Sequence, residues 1–433
     1  MDQPDSKRNP FSRLKSSLRD LKDRHEQRHR PTGFGFVFAD HVDYLNPALW
    51  DAVAAHGSVF LSRAVLRVIE QSGPENVQPR YAMIFRGAQP LAVVAAQIVT
   101  VSGAQLQPKP LKAEAGRAAR LLRRVLSPAA KSATARLRER MLVAGNLLSW
   151  GFHGVAFAPG ENPAELWPAV AEALYRIRRA ERLTGQTDVV MVKDLTVQQS
   201  GLESLRRYSY RPLETEPNMV LELNPEWRTY DDYLGALDAK YRRKVKDIAK
   251  KLTAGGCVVE SLTGDLSAHG PRLHELYLAV QGKAAVRLVT LPAAYLPELA
   301  RAAGENFRCT VIRRHGEVLG FVTSLRDGDT AIGYYIGFDR AAAEEGLPLY
   351  LRLLHATIED ALAWRCRRLS LGRTALEPKA GLGARPEPMT VWLRHRVPAI
   401  NVVLRGLLGA VPHAEAPERS PFKARGPGDG AVV

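Results

Sequence analysis

Apolar positions in the second half of the chain come first in short β-branched runs and then at helical spacing. CTVIRR (Cys309 to Arg314) and VLGFVTSL (Val318 to Leu325) flank His315-Gly316-Glu317, which predicts a hairpin whose glycine supplies positive φ. After a turn at RDGD, TAIGYYIGF (Thr330 to Phe338) predicts a third antiparallel strand, with Tyr334 and Tyr335 facing opposite sides. Leu347, Leu351, Leu354, Ile358, Ala361 and Leu362 then recur at helical spacing, so a helix to about Trp364 lays one face on that sheet. RRLSLG (Arg367 to Gly372) reads as a short strand, a polar loop follows, and PMTVWLR (Pro388 to Arg394) reads as the last strand.

The first half follows the same plan. RYAMIF (Arg80 to Phe85) and LAVVAAQIVTV (Leu91 to Val101) form a hairpin, and MLVAGNLLSWG (Met141 to Gly151) supplies a third strand. A helix from Pro163 to about Leu183 carries Leu166, Val170, Leu174, Ile177 and Ala180 on one face, and TDVVMVKDL (Thr187 to Leu195) is the next strand. A helix from Gln198 to Arg207 and the strand NMVLELN (Asn218 to Asn224) close the unit. This matching order predicts a tandem repeat in which Arg80 to Asn224 and Lys240 to Arg394 each form their own mixed sheet flanked by helices, an α/β fold of α+β type.

Composition sets outer limits. A chain of 433 residues can bury two cores, and its 45% hydrophobic and 24% charged content is that of a soluble globular protein. The odd cysteine count (Cys257, Cys309, Cys366) in apolar contexts argues for reduced core thiols in a cytosolic protein rather than a disulfide framework or zinc site. MDQPDSKRNPF is too polar to open a cleavable signal, and neither long apolar stretch (Pro90 to Val101, Val397 to Pro412) reads as a bilayer span.

The formal charge of +16 is concentrated in three places. Between Lys7 and Arg30, Phe11, Leu14, Leu18 and Leu21 fall at helical spacing among basic residues, which suits either contact with an anionic membrane surface or a solvated extension. Between Lys109 and Arg140, an arginine-rich insertion reads as a holder of phosphate, tRNA or lipid headgroups, or as a solvated insertion. The third, TYDDYLGALDAKYRRKVKDIAKKLTAGG, predicts one helix from Thr229 to Gly255-Gly256, with Tyr233, Leu237, Tyr241, Val245, Ile248 and Leu252 inward and Lys240, Arg242, Arg243 and Lys244 outward.

That third segment resembles the helix opening the second domain of Fem-type peptidoglycan aminoacyltransferases. The run from LGFVTSL to GRTALEPKAGLGA (Leu319 to Ala384) is similar to their acyltransferase core, and to the Fem-like acetyltransferases of the GNAT superfamily often called peptidoglycan- or cellulose-biosynthesis proteins. The resemblance is firm from Asn218 to Arg394 and architectural from Gly33 to Leu213. It implies two GNAT-like domains, 33–224 with a basic insertion at 108–140, and 225–411. These lie between an N-terminal extension, 1–32, and a disordered tail, 412–433.

Site residues follow from the same resemblance. Lys379, in EPKAGLG, stands where relatives carry the lysine of a loop facing the acyl centre, where a cation stabilises a tetrahedral oxyanion. Gly372 and Arg373 occupy the strand exit, with Arg373 suited to an anionic substrate, and Gly383 closes the loop. Tyr334 or Tyr335 is suited to bonding the acyl carbonyl or protonating a leaving thiolate, and equally to core packing. Arg242 and Arg243 match basic positions where relatives contact phosphorylated groups.

The departures are as informative. Where GNAT enzymes carry a glycine-rich pyrophosphate loop, this chain has FDRAAAEEGLPLY, whose Asp339, Glu344 and Glu345 oppose an anion, leaving acyl-CoA open against another activated acyl carrier. The first half offers GFHGVAFAPGENP (Gly151 to Pro163) there instead. No HExxH, Walker or serine-elbow motif and no carboxylate–histidine pair stands out, so no metal is expected. The leading reading is an acyltransferase moving an acyl or aminoacyl group to an amine or hydroxyl of a cell-envelope precursor or polar lipid, on the inner face of a bacterial cytoplasmic membrane. The alternative is a catalytically silent scaffold binding an anionic envelope intermediate or nucleic acid. A tRNA donor suits the charge, although the coiled-coil arm of some relatives is missing.

Overall fold

The computed structural model describes residues 30–102, 138–196, 198–282, 288–397, 400–401, 417 and 419–423. The basic N-terminal stretch to residue 29 and most of the arginine-rich insertion therefore lie outside the described residues.

The first half runs β1 (Gly35–Ala39), α1 (Pro47–Ala54), α2 (Arg63–Ser72), β2 (Val77–Arg86), β3 (Gln89–Ser102), β4 (Arg138–Ala144), β5 (Val155–Phe157), α3 (Pro163–Ala180), β6 (Val189–Thr196) and β7 (Arg211–Glu222). The second half runs α4 (Tyr230–Ala236), α5 (Ala239–Ala254), β8 (Cys257–Leu262), α6 (Gly270–Gln281), α7 (Tyr295–Ala303), β9 (Phe307–Arg314), β10 (Glu317–Asp327) and β11 (Thr330–Phe338). It ends with α8 (Arg340–Glu344), α9 (Leu349–Ala363), β12 (Arg368–Ser370), α10 (Leu376–Ala380) and β13 (Arg385–His395).

The mixed α/β character is as expected, but the halves do not close separate sheets. All strands join one hydrogen-bonded path, β1-β2-β3-β4-β6-β13-β7-β12-β11-β10-β9-β8, with β5 on β3. The cause is a reciprocal exchange of last strands. β7, ending the first half, pairs with β12 of the second, and β13, ending the second, pairs with β6 of the first. β7 and β13 also pair with each other. Each half contributes one parallel contact, β4 on β6 and β11 on β12, at corresponding places.

Local chemistry accounts for the boundaries. Asn46 and Asn162 cap α1 and α3 just ahead of Pro47 and Pro163, residues pre-organised for a first helical turn. Thr229 and Asp232 form a capping box on α4. The single helix expected from Thr229 onward is instead broken at Leu237 and Asp238, both extended. The chain's C-terminal segment lies across the break, with Asp238 N donating to the Pro421 carbonyl at 2.8 Å and Lys423 N to that of Ala236 at 3.0 Å. Residues 419–423 of the tail, expected to be disordered, thus pack on the fold, and Phe422 lies against Trp227 and Tyr233.

The largest cluster of buried side chains unites Trp50, Phe60 and Tyr81 of the first half with Tyr295, Phe321 and Tyr334 of the second, and α2 packs on α7. Burying such aromatic surface is the main force holding the halves together. The three cysteines are free and buried, and burial pushes the Cys309 thiol up to about 12 and that of Cys366 up to about 11.

Candidate active site

β11 and β12 pair only from Thr330 to Ile332 and then part, and the opening between them receives the 146–154 loop of the first half. The Trp150 indole donates to Ser370 Oγ at 2.8 Å, and Ser370 Oγ donates to Asn218 Oδ1 at 3.1 Å. Asn218 Oδ1 also accepts from Gly372 N at 3.0 Å. Gly372 has φ of 77°, and a Cβ added there would stand 3.0 Å from the Trp150 ring, so this strand exit requires glycine twice over.

Lys379 lies on α10, inside the stretch expected to be a loop, and is 3% exposed. Its ammonium donates to the Gly372 carbonyl at 3.2 Å, an oxygen that also accepts from Met219 N at 3.1 Å. Gly372 and Lys379, singled out separately in the sequence, are therefore in direct contact. Burial lowers the Lys379 pKa to about 7, opposed only by the charge of Glu216. Keeping an ammonium on a backbone carbonyl in so dry a place costs stability.

Arg373, next in the chain, turns to the first half and pairs with Asp194, which also pairs with Lys193 and accepts from Gly151 N at 3.1 Å. Burial raises the Asp194 pKa, but Lys193 and Arg373 outweigh it and hold the carboxyl below its usual range. Asp194 takes positive φ, placing its carboxylate between the two cations. Sequence reading missed Lys193 and Asp194, because nothing in VMVKDL shows that the second half delivers an arginine there. It also missed His153 and Asp327, whose Nδ1 and Oδ2 stand 3.7 Å apart across the halves, with the ring buried and its pKa lowered by that burial.

Tyr334 and Tyr335 do not face opposite sides. Val322 pairs with Ile336 and Ser324 with Gly333, so the two tyrosines together oppose Thr323 in a β-bulge. Both hydroxyls reach the Leu148 carbonyl, at 2.7 and 2.9 Å, and burial pushes both pKa values well up. Thr323 Oγ1 serves the bulge by accepting from Tyr335 N at 3.0 Å.

Gly383 has φ of 96° and sits under the Phe422 ring. On α5, Arg242 donates to the Gly235 carbonyl at 3.3 Å and Arg243 is exposed. Their neighbours Lys240 and Lys244 instead line a cavity of about 300 Å³ floored by Tyr233, Val245 and Leu382, with Arg419 and Glu377 also on its lining. The helix period explains the difference, since Lys240 and Lys244 border the inward stripe at Tyr241 and Val245 while Arg243 lies away from it. α10 thus stands between this cavity, lined by Glu377, Pro378 and Gly381, and the buried Lys379.

The stretch after β11 does not fit a pyrophosphate at its first helix. The Asp339 carboxylate already accepts from Ala342 N at 3.0 Å, filling the position an anion would take, and Glu345 pairs with Arg314 at 2.8 Å.

Residues 239–380 match the family model described as acetyltransferase (GNAT) domain. No curated protein sequence matches the chain. Among solved structures, FemX is similar at a TM-score of 0.51 and 10% identity, covering 86% of this chain and 99% of that one. A tandem GNAT protein from the clavulanic acid biosynthesis pathway gives 0.45 and 12%, covering 84% and 99%. L-PGS from Bacillus licheniformis gives 0.41 and 10%, covering 79% and 95%. The fold likeness rests on FemX.

Proposed function

We propose that this chain, whose residues 239–380 match the acetyltransferase (GNAT) domain model and whose fold is similar to that of FemX, transfers an acyl or aminoacyl group from an activated carrier to an amine or hydroxyl of a cell-envelope precursor or polar lipid. The observation that carries this reading is Lys379, buried within the acetyltransferase domain with its ammonium on the Gly372 carbonyl. The acceptor attacks the acyl carbonyl, forming the new C–N or C–O bond and driving the π electrons onto oxygen. Lys379 exchanges the Gly372 carbonyl for that oxyanion. Collapse breaks the bond to the carrier, which leaves with its electron pair, while the acceptor's proton passes to solvent.

The cavity beside α10, apolar in its floor and with Lys240 and Lys244 on its lining, suits an acyl chain or lipid-like acceptor with an anionic head. No helix among the described residues is long and apolar enough to cross a membrane. Placement on the inner membrane face therefore rests on the basic amphipathic pattern of residues 11–24. The test is a donor panel (acyl-CoA, acyl carrier protein, aminoacyl-tRNA) with envelope precursors and lipid amines as acceptors, and product mass as the readout. Transfer by wild type and its loss in Lys379→Ala supports the reading. No transfer from any donor favours the silent scaffold.

A further inference from the structure

A second cavity, of about 320 Å³, lies on the first half between α3, residues 30–32, Tyr208 and Arg394 of β13. Four guanidiniums line it, those of Arg30, Arg176, Arg179 and Arg394, against the single carboxylate of Glu172. That carboxylate is already committed. It accepts from Arg176 at 2.6 Å, from Thr32 N at 2.8 Å and from Thr32 Oγ1 at 2.6 Å. Arg179 and Arg394 make no ion pair among the described residues. Half-buried Arg178 adds to the field, its pKa lowered by burial and by the charge of Arg394. Tyr175 and Tyr208 supply aromatic wall.

Like charges from a helix, a strand and the N-terminal segment repel one another when brought together, and among the described residues no carboxylate pairs with Arg179 or Arg394. Guanidinium forks match phosphate oxygens in geometry as well as charge. A volume of this size holds a phosphate with a ring attached. We propose that this cavity binds a phosphate monoester of a small ring-bearing molecule, with Arg179 and Arg394 on the phosphate and Tyr175 and Tyr208 against the ring. The site is built on the first half, with Arg394 brought in on β13 of the second, and does not depend on the acyl-transfer reading.

Isothermal titration of the full chain with inorganic phosphate and with phenyl phosphate, at constant ionic strength and without any acyl donor, tests it. Saturable one-to-one binding is expected, tighter for phenyl phosphate, and weakened at least about tenfold in Arg179→Gln and Arg394→Gln. Tyr208→Leu should erase the preference for the phenyl ester. Arg179 is exposed, so its variant keeps the test meaningful if Arg394→Gln fails to fold. Lys250→Gln, on the basic face of α5, is the control for general attraction. Absence of saturable binding, or equal binding by wild type and both arginine variants, overturns the proposal.

Discussion

Arg373, at the exit of the second half's last parallel strand, forms an ion pair with Asp194, a fully buried residue within β6 of the first half. Because Lys193 and Gly151 N share that carboxylate, one buried side chain neutralises two half-buried cations and joins β6 of the first half to the chain leaving β12 of the second. Asp194→Ala strands both cations and should cost about 3–5 kcal/mol. A urea midpoint for this variant close to wild type would show that the pair does not hold the junction.

The Lys379 ammonium is costly to keep. Its folded pKa of about 7 lies below the unfolded value near 10.5, so between those limits the unfolded chain binds a proton that the folded chain lacks. The unfavourable contribution is complete below pH 7 and fades as pH rises toward 10.5. Lys379→Met, which leaves Met219 N on the Gly372 carbonyl, should stabilise the fold by on the order of 3–5 kcal/mol at pH 6.5 and by clearly less at pH 9.5. Melting at the two pH values decides it, and a variant less stable than wild type at both contradicts the account.

Much of this framework is readable before folding. β11 is found at Thr330–Phe338 as its alternation predicts, and α9 falls within the expected helix. Lys379 and Gly372 are picked out by the family resemblance and prove to touch. What sequence patterning conceals is chain exchange and long-range partnership. The swap of β7 and β13 leaves no periodic trace, because each strand keeps its own alternation whichever neighbour it pairs with. The bulge at Tyr334 and Tyr335 is also hidden, since its cause is register against Thr323 rather than anything in GYYIG.

Both tyrosine protons are committed to the Leu148 carbonyl, so their loss should be felt in stability. Tyr334→Phe and Tyr335→Phe should each cost about 1 kcal/mol, and the double variant more than their sum, because the buried carbonyl then loses both side-chain donors. Turnover in each single variant should stay near wild type. A collapse of kcat with unchanged melting would instead assign one hydroxyl to the chemistry.

Gly383 and Phe422 are coupled by contact. Ala at 383 meets the Phe422 ring and must also adopt φ of 96°, so Gly383→Ala should destabilise by about 1–3 kcal/mol and release the C-terminal segment. In a cycle with Phe422→Ala, the steric share of that loss should disappear while the backbone share remains. Strict additivity, measured by denaturant unfolding, would mean that the tail does not rest on the loop.

The central claim is that the Lys379 ammonium stabilises the oxyanion of acyl transfer, and single-turnover transfer by Lys379→Ala tests it most directly. With a productive donor and acceptor, the rate should fall by on the order of 10²–10³ while the melting temperature does not drop. An undiminished rate in Lys379→Ala would contradict the account.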